Sequence, residues 1–224
     1  MGTVNGQLEV TEDVPGRFAE LVVESFRNRP GDFFSFALSG GDTARSCYER
    51  LAREAAQSVD WWKVDVYWGD ERCVAPDHPD SNERMARRVL LEQVGAANSI
   101  RPMRCEEGPG SYQLLVGNLG SFDLIHLGLG PDGHTASLFP DSAALEADEG
   151  QLVAMNIDPH GRNVHERMTL TLEGIARSRL VVFTVVGQAK AEAMRAVYEG
   201  ADLPGGRVTA ERVLWLVDPA ASPL

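Results

Sequence analysis

The sequence predicts an α/β fold: residues 1–224 form one domain around a single doubly wound, mostly parallel sheet with helices on both faces. Three observations lead there. Short apolar runs recur at Phe33–Leu38, Val64–Trp68, Phe122–Leu127, Leu180–Val186 and Val213–Val217, and read as buried strands. Segments with helical periodicity stand between them. No linker or internal repeat divides the chain.

The length suits one domain with a sizeable core, and 43% hydrophobic with 24% charged residues is the balance of a globular protein. A formal charge of −12 argues against nucleic acid or an anionic membrane as partner. No apolar run approaches the length of a membrane span, and MGTVNGQLEVTEDVPG lacks the basic and apolar regions of a signal peptide, so the expected location is cytoplasmic. Cys47, Cys73 and Cys105 are scattered, which predicts free structural thiols in a reducing compartment, with neither a disulfide framework nor a metal site. The sequence gives monomer or small homo-oligomer as equal options.

Taken in order, Glu12–Asn28 is a helix with Pro15 in its first turn and Phe18, Leu21, Val22 and Phe26 on one face. Phe33–Leu38 leads into Ser39–Gly40–Gly41–Asp42–Thr43 and a helix from Ala44 to about Gln57. A strand, glycine-rich turn and helix can present backbone N–H groups to an anion, although the spacing is not that of a P-loop. Asp42 adds a negative charge there, with helix capping as its alternative role. Val64–Trp68 ends in Gly69–Asp70–Glu71–Arg72, where Asp70 and Arg72 can project the same way from an extended chain. Asp80 with Glu83 resembles a capping box for the helix that carries Met85, Val89, Leu90 and Val94, which Gly95 closes. Residues 96–110 are loop and 111–120 a weak helix. Farther on, 151–157 and 167–172 are strands, separated by a polar turn at 158–165. A helix from Gln188 to Tyr198 has Lys190 in its first turn, where the helix dipole disfavours a cation; a bound phosphate would compensate, and a surface lysine reaching water is the alternative.

The stretch FDLIHLGLGPDGHTASLFP, 122–140, carries the chemistry. A buried strand opens it, three glycines follow, and His134 sits where a helix could begin. A histidine titrates near neutral pH and suits a general base, and open α/β sheets bind ligands at this edge. Gly128 to Gly133 fits a dinucleotide fingerprint literally, but Pro140 comes too soon for the long helix that fingerprint needs. A loop histidine bonded only to backbone is the plain alternative.

LSGGDTA (38–44), GDER and DSN (69–72 and 80–82), the central stretch, RMTLT (167–171) and GQAK (187–190) together resemble the family that groups 6-phosphogluconolactonases with glucosamine-6-phosphate deaminases. The resemblance implies a Rossmann-like fold of the sugar-phosphate isomerase type. It also implies hydrolysis of 6-phospho-glucono-1,5-lactone in the oxidative pentose phosphate pathway, without metal or organic cofactor. It makes His134 the base that activates water, with Asp70 and Arg72 matching the acidic and basic members of the GDER segment. It assigns the substrate to Ser39, Gly40, Gly41, Asp42, Thr43, Asp132, Gly133, Arg167 and Lys190. Two departures stand out. Asp42 and Ala44 replace the usual serine and proline of the phosphate loop. Phe139 occupies the place of the glutamate that precedes the closing proline in deaminases, as it does in lactonases. The rival functions are a deaminase or isomerase and a sugar-phosphate-binding module without catalysis.

Overall fold

The computed structural model describes residues 5–224. Seven parallel strands form the central sheet: β1 (Gln7–Val10), β2 (Phe34–Leu38), β3 (Val64–Trp68), β5 (Ser99–Ile100), β6 (Leu124–Gly128), β9 (Leu180–Val185) and β10 (Arg212–Val217), in the order β1-β10-β9-β6-β2-β3-β5. From β2 the chain winds outward through β3 to β5, then returns to β6 on the other flank of β2. The winding reverses between β2 and β6, and their carboxyl ends open the crevice that such a reversal creates. The mostly parallel sheet is as the apolar runs predict. The short edge strand β1 was not legible, because Gln7–Val10 is only half apolar.

Helices α1 (Val14–Arg27) and α2 (Asp42–Glu54) cover one face. Asp13 caps α1 by accepting from the Gly16 N–H at 3.0 Å, and Pro15 lies in the first turn, so Phe18, Leu21, Val22 and Phe26 all point inward. Phe18 reaches the sheet at Phe36 and at the His126 ring, 4.2 Å between centroids. The opposite face is marked by Phe183 and Trp215, stacked 3.7 Å apart. Burial of these rings at 0% exposure supplies much of the core, at roughly 1.5–3 kcal/mol for each large apolar side chain.

Three further strands leave the main sheet: β4 (Asp70–Arg72), β7 (Val153–Asn156) and β8 (Arg167–Leu170) form an antiparallel sheet of order β4-β8-β7. Gly69 joins β4 directly to the carboxyl end of β3, so this small sheet stands over the crevice. Its register sets Asp70 against Thr169 and Arg72 against Arg167. The remaining helices are α3 (Asn82–Ala86), continued by a wider turn at Arg87–Leu91, α4 (Pro109–Leu119), α5 (Leu172–Ala176) and α6 (Ala191–Tyr198). No helix among the described residues is long and apolar enough to cross a membrane.

Several local expectations are corrected. Ser81, not Asp80, caps α3, accepting from the Arg84 N–H at 3.1 Å. Glu83 turns away from the cap to pair with Arg87 and Arg104. The buried Glu71 carboxylate takes the Asn82 and Glu83 N–H groups, each at 2.7 Å. Burial pushes its carboxyl up despite those bonds. No helix begins at His134; 131–142 is a run of turns. Cys73 and Cys105 are joined by a disulfide with Cα atoms 5.4 Å apart, so only Cys47 is a free thiol. A separation of 32 residues hides that pairing from sequence, because β4 alone carries Cys73 back toward the segment after β5.

Candidate active site

The loop after β6 folds back on itself: the Gly130 N–H donates to the His134 carbonyl at 2.7 Å and the Gly133 N–H to the Gly130 carbonyl at 3.0 Å. Gly133 needs its positive φ of 82° to make that turn. The turn brings Asp132 Oδ1 to 2.5 Å from His134 Nδ1. This contact fixes the ring and leaves Nε2 without a protein partner among the described residues. Burial pushes the Asp132 carboxyl up, but the hydrogen bond and charge of His134 outweigh it and hold the group far below the usual carboxylate range. Arg162 adds a contact to Asp132 Oδ2 at 3.3 Å. Phe139 packs its ring 5.1 Å from the imidazole.

The small sheet brings the charged groups. Asp70, 6% exposed, accepts from Ser137 Oγ at 2.6 Å and from Asn82 Nδ2 at 3.3 Å. Arg72 and Arg167 are cross-strand partners, both line the same cavity, and Arg167 feels the like charge of Arg72. Arg72 Nη1 donates to the Asp80 carbonyl at 2.6 Å, and Arg167 Nε to the His165 carbonyl at 3.2 Å. The Arg72 Nε is buried with no partner among the described residues. Burial lowers the Arg167 value, with Asp70 opposing and Arg72 adding to the effect. Lys190, the last residue of the turn into α6, makes no ion pair among the described residues. Burial lowers its value, and Asp132 partly opposes the shift.

On the other wall, α2 begins at Gly41, whose φ is 90°, and no side chain caps its first turn. The amides there are free for a ligand. The Ser39 N–H is not: it donates to Tyr48 Oη at 2.7 Å, which removes one donor from the expected anion loop. Asp42 is the first residue of α2 rather than its cap, with a side chain 99% exposed and a long contact of 3.9 Å to Arg45. A Cβ at Gly40 would fall 1.8 Å from Asn82 Oδ1, so that glycine is dictated by the asparagine.

These walls enclose a cavity of about 380 Å³. Ser39, Gly40, Gly41, Asp42, Thr43, Asp70, Arg72, His134, Arg167 and Lys190 all line it. Asp132 and Gly133, expected among the substrate contacts, do not; they stand behind the imidazole, and Gly133 abuts Leu203. Three cations face two carboxylates, so the cavity is locally positive in a chain of charge −12. Sequence reasoning passed over Ser137 and Thr184 on this wall and the buried His126 beneath it. A histidine inside an apolar strand was the one available signal for the last.

A sequence model described as glucosamine-6-phosphate isomerases/6-phosphogluconolactonase matches residues 7–215. The chain belongs to this family. Among relatives in the glucosamine-6-phosphate isomerase/6-phosphogluconolactonase family, a 6-phosphogluconolactonase of Synechocystis sp. is 39% identical over 84% of this chain and 82% of its own. One from Mycobacterium tuberculosis is 35% identical over 83% and 82%. A solved 6-phosphogluconolactonase from Shewanella baltica superimposes with TM-score 0.80 at 28% identity, covering 96% of this chain and 97% of that one. A monomeric glucosamine-6-phosphate deaminase reaches TM-score 0.81 at 19% identity, a likeness of fold alone. Both branches of the family therefore share the scaffold, and the choice between them lies in the side chains of the cavity.

Proposed function

We propose that the chain hydrolyses 6-phospho-D-glucono-1,5-lactone to 6-phospho-D-gluconate, the step that its named relatives carry in the oxidative pentose phosphate pathway. The observation that carries this reading is the Asp132–His134 pair, with Nε2 unpartnered beside a positively charged cavity. His134 Nε2 takes a proton from water as the water oxygen attacks the lactone carbonyl. Asp132 stabilises the imidazolium that forms, without itself taking the proton. The ring C–O bond then breaks, and the departing alkoxide recovers the proton from His134. The new carboxylic acid loses its own proton to solvent.

Arg72 is the candidate donor to the oxyanion, a contact whose loss typically costs about 100- to 1000-fold in rate. Arg167, Lys190 and the first-turn amides of α2 suit a phosphate dianion: two cations and a helix end supply what the overall charge denies. Burial lowers the values of both side chains, and the opposite charge of an arriving anion offsets that cost. No residue here requires a metal or an organic cofactor for the chemistry. Such a charged phosphosugar does not cross membranes unaided, so the cytoplasm is the proposed location.

Phe139 separates this reading from the deaminase one. Ring opening and proton shuttling on an aminosugar need a second acid–base group near the substrate, and an apolar ring 5.1 Å from the imidazole cannot supply it. The decisive assay gives the protein glucose-6-phosphate and its dehydrogenase, then follows lactone loss above the spontaneous rate. Faster loss, with no ammonia from glucosamine-6-phosphate, is expected. Ammonia release would overturn the assignment, and binding of 6-phosphogluconate without turnover would point to a non-catalytic module.

A further inference from the structure

We propose that His78, Asp80 and His165 form a binding site for a late first-row divalent cation of the Zn2+ type at the end of the β4–β8 pair. His78 and Asp80 are neighbours in sequence, and His165 lies 85 residues beyond Asp80. Antiparallel pairing of β4 with β8 brings them together: Arg72 faces Arg167, and the Cys73 N–H donates to the Glu166 carbonyl at 2.9 Å. The chain leaving β4 therefore runs beside the chain entering β8. His78 and Asp80 then turn back onto His165.

The geometry is close to what such an ion requires. One donor atom from each residue lies within 4.8 Å of the other two. Asp80 Oδ2 stands 2.9 Å from His165 Nε2 and 3.9 Å from His78 Nδ1, which accepts the Asp80 N–H at 3.1 Å, a bond the ion displaces. Zinc bonds of about 2.0–2.2 Å in a tetrahedron set donors roughly 3.3–3.6 Å apart, between those two spacings. The two imidazole rings already meet edge to face, 5.6 Å between centroids.

The donor set selects the metal. Two imidazoles with one carboxylate favour zinc, cobalt, nickel or copper, whereas calcium and magnesium prefer oxygen alone. Asp80 is available because Ser81 caps α3 in its place. All three side chains keep a solvent-facing side, at 39%, 52% and 26% exposure, where water completes the coordination. Arg72 is a cation whose charge reaches Asp80, and its guanidinium is turned to the Asp80 carbonyl rather than the carboxylate. None of the three lines the cavity, and the inference is independent of the reaction proposed above.

The test uses the whole protein after chelator treatment. One equivalent of Co2+ should produce the visible bands of a four-coordinate ion, and Zn2+ should abolish them. Calorimetry with Zn2+ should find one site per chain. His78→Ala and His165→Ala should each weaken binding by at least about tenfold, the lower end of what even a supporting residue of a metal ligand contributes. His134→Asn should leave binding intact. Absence of binding in the wild type, equal affinity in the double variant H78A/H165A, or loss of binding in H134N would each overturn the proposal. If H165A fails to fold by circular dichroism, the more exposed H78A decides alone.

Discussion

A methyl group at position 130 would lie 2.1 Å from His134 Nδ1 and 2.7 Å from Asp132 Oδ1. Gly130 is thus fixed by the imidazole and its carboxylate rather than by a turn. Gly130→Ala should fold with an unchanged circular dichroism spectrum yet lose at least about tenfold in kcat, because displacing a base by a fraction of an ångström spoils its aim. Wild-type turnover in that variant would show that the pair is not held where it works. His134→Asn removes the proposed base while keeping much of the shape. It should still bind 6-phosphogluconate and lose at least roughly 100-fold in kcat, the lower bound for general base catalysis. His126 is a contrasting histidine. Its ring nitrogens meet Tyr48 Oη and Thr184 Oγ1, each at 2.9 Å, and full burial pushes its value down to about 3. Above pH 6.5 it is neutral folded or unfolded. As pH falls from there to about 3, the unfolded chain takes a proton that the folded one refuses. This residue should therefore withdraw about 1.4 kcal/mol of stability per pH unit across that window. Urea titrations of wild type and His126→Gln between pH 7 and 4.5 test this: the variant should start less stable but decline with a shallower slope.

Among the elements, the proposed anion site draws on the β4–β8 pair, the start of α2 after Gly41 and Lys190 at the entry to α6. Lys190→Ala and Arg167→Ala should chiefly raise KM, each losing roughly 1.5–3 kcal/mol of a charge-assisted contact. Unchanged affinity for 6-phosphogluconate in both would dismiss the phosphate site. The glycine-rich ends of β2 and β6 were readable because glycine and a preceding apolar run are local signals. Asp70, Arg72 and Arg167 could be nominated from sequence, but their facing register could not, since strands about a hundred residues apart choose partners through the whole fold. The same holds for Asn82, whose amide fixes both Asp70 and the bare Gly40, and for the cap of α3, where Ser81 displaced Asp80 within one residue. Ser39 looked like an anion donor until Tyr48, one helical stretch later, proved to occupy its N–H.

At the scale of the molecule, one wall of the cavity belongs to the parallel sheet and the other to the small antiparallel one, and the Cys73–Cys105 disulfide ties the second to the segment beyond β5. Closing a loop of 32 residues restricts the unfolded chain by roughly 3–4 kcal/mol in the chain-entropy picture, so reduction should lower the melting temperature by on the order of 10 °C. A scan with and without dithiothreitol measures it, and coincident melts would mean the crosslink contributes nothing. The bond also changes what a cut does to the molecule. Ala75, Pro76 and Asp77 are exposed within the bridged segment, where a protease finds its easiest purchase. A single cleavage there yields two polypeptides that still share a covalent bond. The nicked protein would migrate as one band under non-reducing electrophoresis and as two after reduction, with both cavity walls still joined.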